Sequence, residues 1–118
     1  MKTNHDTPAL AKYPPSVVKS IHDAKQLMNT DIQQHLVLNK LARKVGTNEC
    51  TLKKGFKEIF QITVYQYLLN RRMEYAWRLI TESSLKESII AKECGFDTLS
   101  GFVTAFHKYF GKKPRACR

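Results

Sequence analysis

Leu41-Ala42-Arg43-Lys44-Val45-Gly46 is written a second time, 49 positions on, as Ile90-Ala91-Lys92-Glu93-Cys94-Gly95. Each copy precedes an apolar pair four apart, Leu52 with Phe56 and Phe102 with Phe106, and the second copy holds one extra residue between glycine and pair. A spacing of four stacks both side chains on one helix face. A short apolar helix, a glycine turn and a second helix make a helix-turn-helix. Two such motifs in 118 residues predict a protein that reads DNA at two places.

Outward from the repeats the helical pattern continues. Residues 1–15 are polar and end in Pro14-Pro15, which predicts a flexible tail or linker. Ser16 is placed as the N-cap of a first helix carrying Val17, Ile21, Ala24 and Met28. Leu38, Leu41, Ala42 and Val45 form a short second helix that stops at Gly46. Asn48 caps a third, running to about Phe60, with Leu52, Phe56 and Ile59 or Phe60 inward. The fourth, from Val64 to Thr81, turns Leu68, Tyr75, Ala76, Leu79 and Ile80 to one side. Ser84-Leu85-Lys86-Glu87 has the form of a capping box opening a fifth helix through Ile90, Ala91 and Cys94. Asp97 or Thr98 caps a sixth, with Phe102, Phe106 and Phe110 inward, and Gly111 and Pro114 end it. No strand-like alternation competes. The expected fold is all-α: a helix-turn-helix subdomain over 16–62, a linking helix over 63–81 and a second subdomain over 82–118.

Charge follows the repeats. Lys and Arg total 20 against 10 for Asp and Glu, a formal charge of +10, which points to a polyanionic partner. The first 35 residues are nearly neutral. Lys40, Arg43, Lys44, Lys53, Lys54 and Lys57 then face one acid, Glu49, and beyond Thr104 come Lys108, Lys112, Lys113, Arg115 and Arg118 with none. A solvated helix face would mix the signs.

Other chemistries find little support. Cys50, Cys94 and Cys117 are widely spaced and odd in number, and His5, His22, His35 and His107 share no ligand spacing, so neither a zinc site nor a disulfide framework is expected. Paired carboxylates, a nucleophile beside a base and a cofactor motif are all missing, so neither catalysis, a cofactor, a metal nor a small-molecule ligand is expected. Met1-Lys2-Thr3-Asn4-His5-Asp6 lacks the apolar core of a signal peptide, which predicts a cytoplasmic chain. A general basic nucleic-acid binder is the alternative. It accounts for the charge but not for two caps, two glycine turns and two matched apolar pairs.

If Leu52 and Phe56 face the core, the 3.6-residue period turns Cys50, Lys53, Lys54 and Lys57 outward. The same offsets in the second copy give Ser100, Val103, Thr104 and His107, with Leu99 near the helix start. Lysine can donate to guanine O6 and N7, Ser and Thr to several bases, and Leu or Val can meet a thymine methyl. Phosphate contacts are expected from Asn48, Lys57, Thr98, His107, Lys108, Lys112, Lys113 and Arg115. A linking helix of this length spans ~27 Å at ~1.5 Å per residue. With the flanking helix widths added, the reading helices are expected about one duplex turn apart, ~34 Å, so that one chain covers two half-sites.

Several of these residues carry a resemblance. Leu41-Ala42 with Gly46, Leu52-x-x-x-Phe56-Lys57, Tyr67-Leu68, Arg72-Met73-Glu74-x-Ala76, Ile90-Ala91-x-x-x-Gly95-Phe96, Phe102-x-x-x-Phe106 and Phe110-Gly111-x-x-Pro114 resemble the DNA-binding domain of the arabinose-regulator (AraC) type of bacterial transcription factors. The likeness covers residues 16–118. Leu52-Lys53-Lys54-Gly55-Phe56 looks like the branch responding to ferric siderophores. The resemblance implies promoter-specific binding to double-stranded DNA and activation through RNA polymerase. It puts base contacts on Cys50, Lys53 and Lys54 and on Leu99, Ser100 and Thr104. Most members carry a further effector-binding or dimerising domain, so the chain is either a small stand-alone member or, as the linker-like first 15 residues favour, the DNA-binding part of a longer effector-responsive activator. Thr47, Glu87, His107 and Cys117 depart from the family pattern, Glu87 suggesting an earlier start or a shifted core for the fifth helix. Gly55 stands in mid-helix, where it allows close packing at a cost of ~1 kcal/mol against alanine.

Overall fold

A computed structural model describes residues 12–118; of the expected tail, residues 1–11 lie outside the described part. Regular structure among the described residues is all helical, with no strand: α1 Pro15–Thr30, α2 Leu38–Lys44, α3 Glu49–Phe60, α4 Val64–Glu82, α5 Glu87–Glu93, α6 Leu99–Phe110 and α7 Pro114–Cys117.

The ends of these helices follow local chemistry. Asn48 caps α3, its side chain accepting from Thr51 N at 2.8 Å, and Thr98 rather than Asp97 caps α6, accepting from Gly101 N at 3.0 Å. Two expected caps are corrected. Ser16 lies inside α1, which opens at Pro15, where the missing N–H is no loss; the Pro14 carbonyl accepts from Val17 and Val18. Ser84 caps nothing. Helix α5 opens only at Glu87, behind Lys86 and without a side-chain cap, so Glu87 sits in the first turn near the positive helix end. The fifth helix therefore does not start early. Ser83 orders the connector instead, donating to the Leu79 carbonyl at 2.6 Å and accepting from Leu85 N at 3.3 Å.

The chain divides into two compact units, one of residues up to Thr30 with Leu36–Leu68, the other of Asp31–His35 with Leu69–Arg118. Unit one buries Ile21, Ala24 and Met28 of α1, Leu38 and Ala42 of α2, Leu52, Phe56 and Ile59 of α3, and Val64 and Leu68 of α4. Ser20, a buried polar side chain, shares its hydroxyl between the Ser16 and Val45 carbonyls at 3.1 and 2.6 Å, tying α1 to the helix-turn-helix turn. Unit two buries Met73, Ala76 and Ile80 of α4, Ile90 and Ala91 of α5, Cys94, and Phe102 and Phe106 of α6. Tyr75, Leu79 and Phe110, expected inward, are only partly buried, and Met73 takes the place at the centre.

The repeat is longer than the motif that announced it. Ile21, Ala24 and Met28 recur as Met73, Ala76 and Ile80, the same spacing 52 positions later, all buried. Beyond α3, Gln61 adopts a left-handed conformation at φ 62°, as Gly111 does beyond α6 at φ 79°. Val64 then opens α4 as Pro114 opens α7, both buried. Each unit is thus three helices closed by the first turn of a fourth.

Candidate nucleic-acid interface

In each unit the second helix of the helix-turn-helix is fixed from behind. Leu52 and Phe56 of α3, and Phe102 and Phe106 of α6, are wholly buried. Burying a side chain of this size contributes roughly 1.5–3 kcal/mol, so the rotation of each helix about its axis is firmly set. The opposite faces are exposed: Cys50, Lys53, Lys54 and Lys57 on α3, and Ser100, Thr104, His107 and Lys108 on α6. Leu99 opens α6 with 43% of its surface exposed, an apolar side chain held out to solvent. Val103 is half-buried and packs against the core instead. Asn48 and Thr98 sit at the two helix starts with their side-chain oxygens engaged as caps; the Asn48 amide N–H groups and the Thr98 O–H remain donors. Lys112 and Lys113 lie in the turn after α6 and Arg115 on α7, all exposed.

The positions proposed for DNA contact therefore fall into one set per unit. Asn48, Cys50, Lys53, Lys54 and Lys57 share the exposed side of α3. Thr98 and Leu99 stand at the start of α6 and Ser100, Thr104, His107 and Lys108 along its exposed side, with the three remaining cations just beyond it. Among the described residues no three His, Cys, Asp or Glu side chains group to hold a metal ion. No helix among them is long and apolar enough to cross a membrane.

Three arrangements escaped sequence reasoning. The first flanks the α3 face. Lys12 Nζ meets both Glu58 carboxylate oxygens at 3.1 and 3.2 Å, and the Tyr13 hydroxyl donates to Oε1 at 3.1 Å. The Lys12 hydrogen bond holds the Glu58 carboxyl below its usual range, and Glu58 in turn raises Lys12. The second supports the turn before α6. Arg72 Nε donates to the Ile32 carbonyl and Nη2 to the Gln34 carbonyl, both at 2.8 Å, with its guanidinium over the Phe96 ring. Burial lowers the Arg72 pKa, opposed by the negative charge of Asp97. Gly95 is required here twice over. Its φ is +89°, and a Cβ would lie 2.6 Å from the Ile32 carbonyl oxygen. The third is aromatic: Trp77 of α4 lies parallel to Phe106 and 4.9 Å from Phe110. Sequence offered one signal for these, the Arg72-Met73 pair, whose equivalents Ser20-Ile21 also place a polar hook beside a core residue.

Known proteins share this fold. A helix-turn-helix domain family matches residues 41–118. The transcriptional regulator YdeO of Shigella flexneri is 34% identical over 92 residues, 77% of this chain and 35% of that protein. Among solved structures, the C-terminal domain of the response regulator AraT from Geobacillus stearothermophilus has a TM-score of 0.80 at 29% identity, covering 84% of this chain and 83% of that one. An AraC-type DNA-binding-domain regulator from Chromobacterium violaceum gives 0.73 at 25% identity, covering 88% and 89%. The chain spans about a third of the length of the curated relatives it matches.

Proposed function

The chain belongs to the AraC type of helix-turn-helix DNA-binding domains, and on that premise we propose that it regulates transcription by reading a promoter with α3 and α6 together. The observation that carries this is the pair of reading helices, each with buried aromatic or leucine anchors behind and exposed polar side chains in front. Lys53, Lys54 and Cys50 read bases at one half-site. Leu99, Ser100 and Thr104 read the other, Leu99 through a thymine methyl. Asn48, Lys57, Thr98, His107, Lys108, Lys112, Lys113 and Arg115 hold phosphates, which set register rather than sequence.

The protein acts in the cytoplasm, without catalysis, as the DNA-binding part of an effector-responsive activator that contacts RNA polymerase. Relatives such as the VirF activator of Yersinia enterocolitica, 29% identical over 94 residues, support activation. Selection of bound duplexes from random oligonucleotides tests the proposal. A two-part motif is the expected outcome; enrichment of no motif would leave only general nucleic-acid binding.

A further inference from the structure

Base reading leaves two residues of α3 without a purpose. Gly55 weakens the middle of a helix, and Glu58 places a negative charge beside a surface meant for phosphate. The chain just before α1 passes beside the first and engages the second. A Cβ on Gly55 would overlap Ile21 Cδ1, so Ile21 of α1 fills the bare position, and Tyr13 Cζ lies close by, 3.6 Å from where that Cβ would stand. From there Tyr13 and Lys12 reach one turn further along α3 to the Glu58 carboxylate. Lys54 stands four residues before Glu58, and its ammonium also lies within the field of that carboxylate. Two ammonium groups therefore compete for one anion.

We propose that Lys12 and Tyr13 are positioning residues that hold the Glu58 carboxylate and leave Lys54 free for DNA, so that the segment entering α1 sets how α3 reads. This rests on the base-reading role assigned to Lys54. With Lys12 in place, the carboxylate already accepts from an ammonium and a phenol. Without Lys12, Lys54 is the cation at helical i, i+4 spacing, and the pair they form withdraws Lys54 from the base edge. Exposed ion pairs of this kind shift an equilibrium by up to about fivefold.

Anisotropy titrations of a selected duplex test this, with Lys12→Gln, Lys12→Arg, Glu58→Gln and the Lys12→Gln/Glu58→Gln double variant. Lys12→Gln is expected to weaken binding about two- to fivefold and to blunt preference at the base pair under Lys54. Lys12→Arg restores both. Glu58→Gln binds at least as tightly as the parent, and the double variant matches it. An equal loss from Lys12→Gln with and without Glu58 means that Lys12 neutralises a phosphate itself, which overturns the proposal. So does a uniform loss on all sequences with a lowered melting temperature, the mark of a structural tie. Lys54→Ala separates the premise: if it changes neither affinity nor base preference, the base-reading role fails and the proposal with it. If it does relax preference while Lys12→Gln is silent, only the proposal fails.

Discussion

At the scale of single residues, two cysteines, Cys50 within α3 and Cys94 just before the turn into α6, should differ sharply. Cys50 is exposed at the start of α3, whereas Cys94 is buried against the unit-two core, and burial raises its pKa from 9.0 to about 12. A disulfide reagent at pH 8 should modify Cys50 in the folded protein and Cys94 only on unfolding. Fast native labelling of Cys94 would contradict the packing. The raised pKa also fixes a sign. The folded state keeps the proton where the unfolded state gives it up, so this contribution is whole below the ordinary value of 9.0 and declines as pH rises towards about 12. Alkaline melts of Cys94→Ala should show a shallower decline. The left-handed positions supply a second pair of outcomes. Gln61→Gly should stabilise unit one by about 0.5–1 kcal/mol, since glycine occupies that conformation freely. Gly95→Ala should destabilise by roughly 2 kcal/mol or more, because left-handed backbone and the Ile32 carbonyl both oppose a methyl group. Urea titrations measure both.

At the scale of elements, the reading helix and its flanking turn should fail differently. Lys54→Ala is expected to relax base preference at one half-site and cost about 1–3 kcal/mol if it reads guanine. Lys112→Ala, in the turn after α6, should weaken all sequences alike and reduce the salt slope by about one. A uniform loss from Lys54→Ala would make it a phosphate contact. The helices themselves were legible because apolar spacing and two capping side chains, Asn48 and Thr98, act locally. Ser84 misled for an equally local reason: a serine three before a glutamate is the written form of a cap, but the connector over 83–86 is held by Ser83 instead. The exposed face of α3 was legible from the period alone, and that of α6 except at Val103, which the period turns outward and the core draws in. The Glu58 tie and the Arg72 clamp were not, since each joins residues about 40 or more apart in sequence, through a side chain with no periodic signature.

At the scale of the whole molecule, the prediction concerns joint grip. Neutralising about five phosphates gives a slope of log K against log salt near −4.5, and a flat response would exclude the proposed interface. Inserting five base pairs between the half-sites turns one groove to the far side of the duplex, so affinity should fall towards its non-specific level. Unchanged binding to the lengthened site would mean that the two helices act singly.

The threefold correspondence between the units carries a consequence for descent. Offsets of 52 in the first helix, 49 in the second and 50 in the third change only at connectors, where insertions and deletions leave packed helices intact. Such a pattern is what an ancient internal doubling leaves behind. Because each copy retains a separate core behind its own exposed helix face, substitutions on one face leave the other copy's packing untouched. On the proposed reading, the two halves of an operator can then diverge one at a time. One copy keeps the protein on its promoter while the other explores new bases, so a change of target need never pass through a protein that binds nothing.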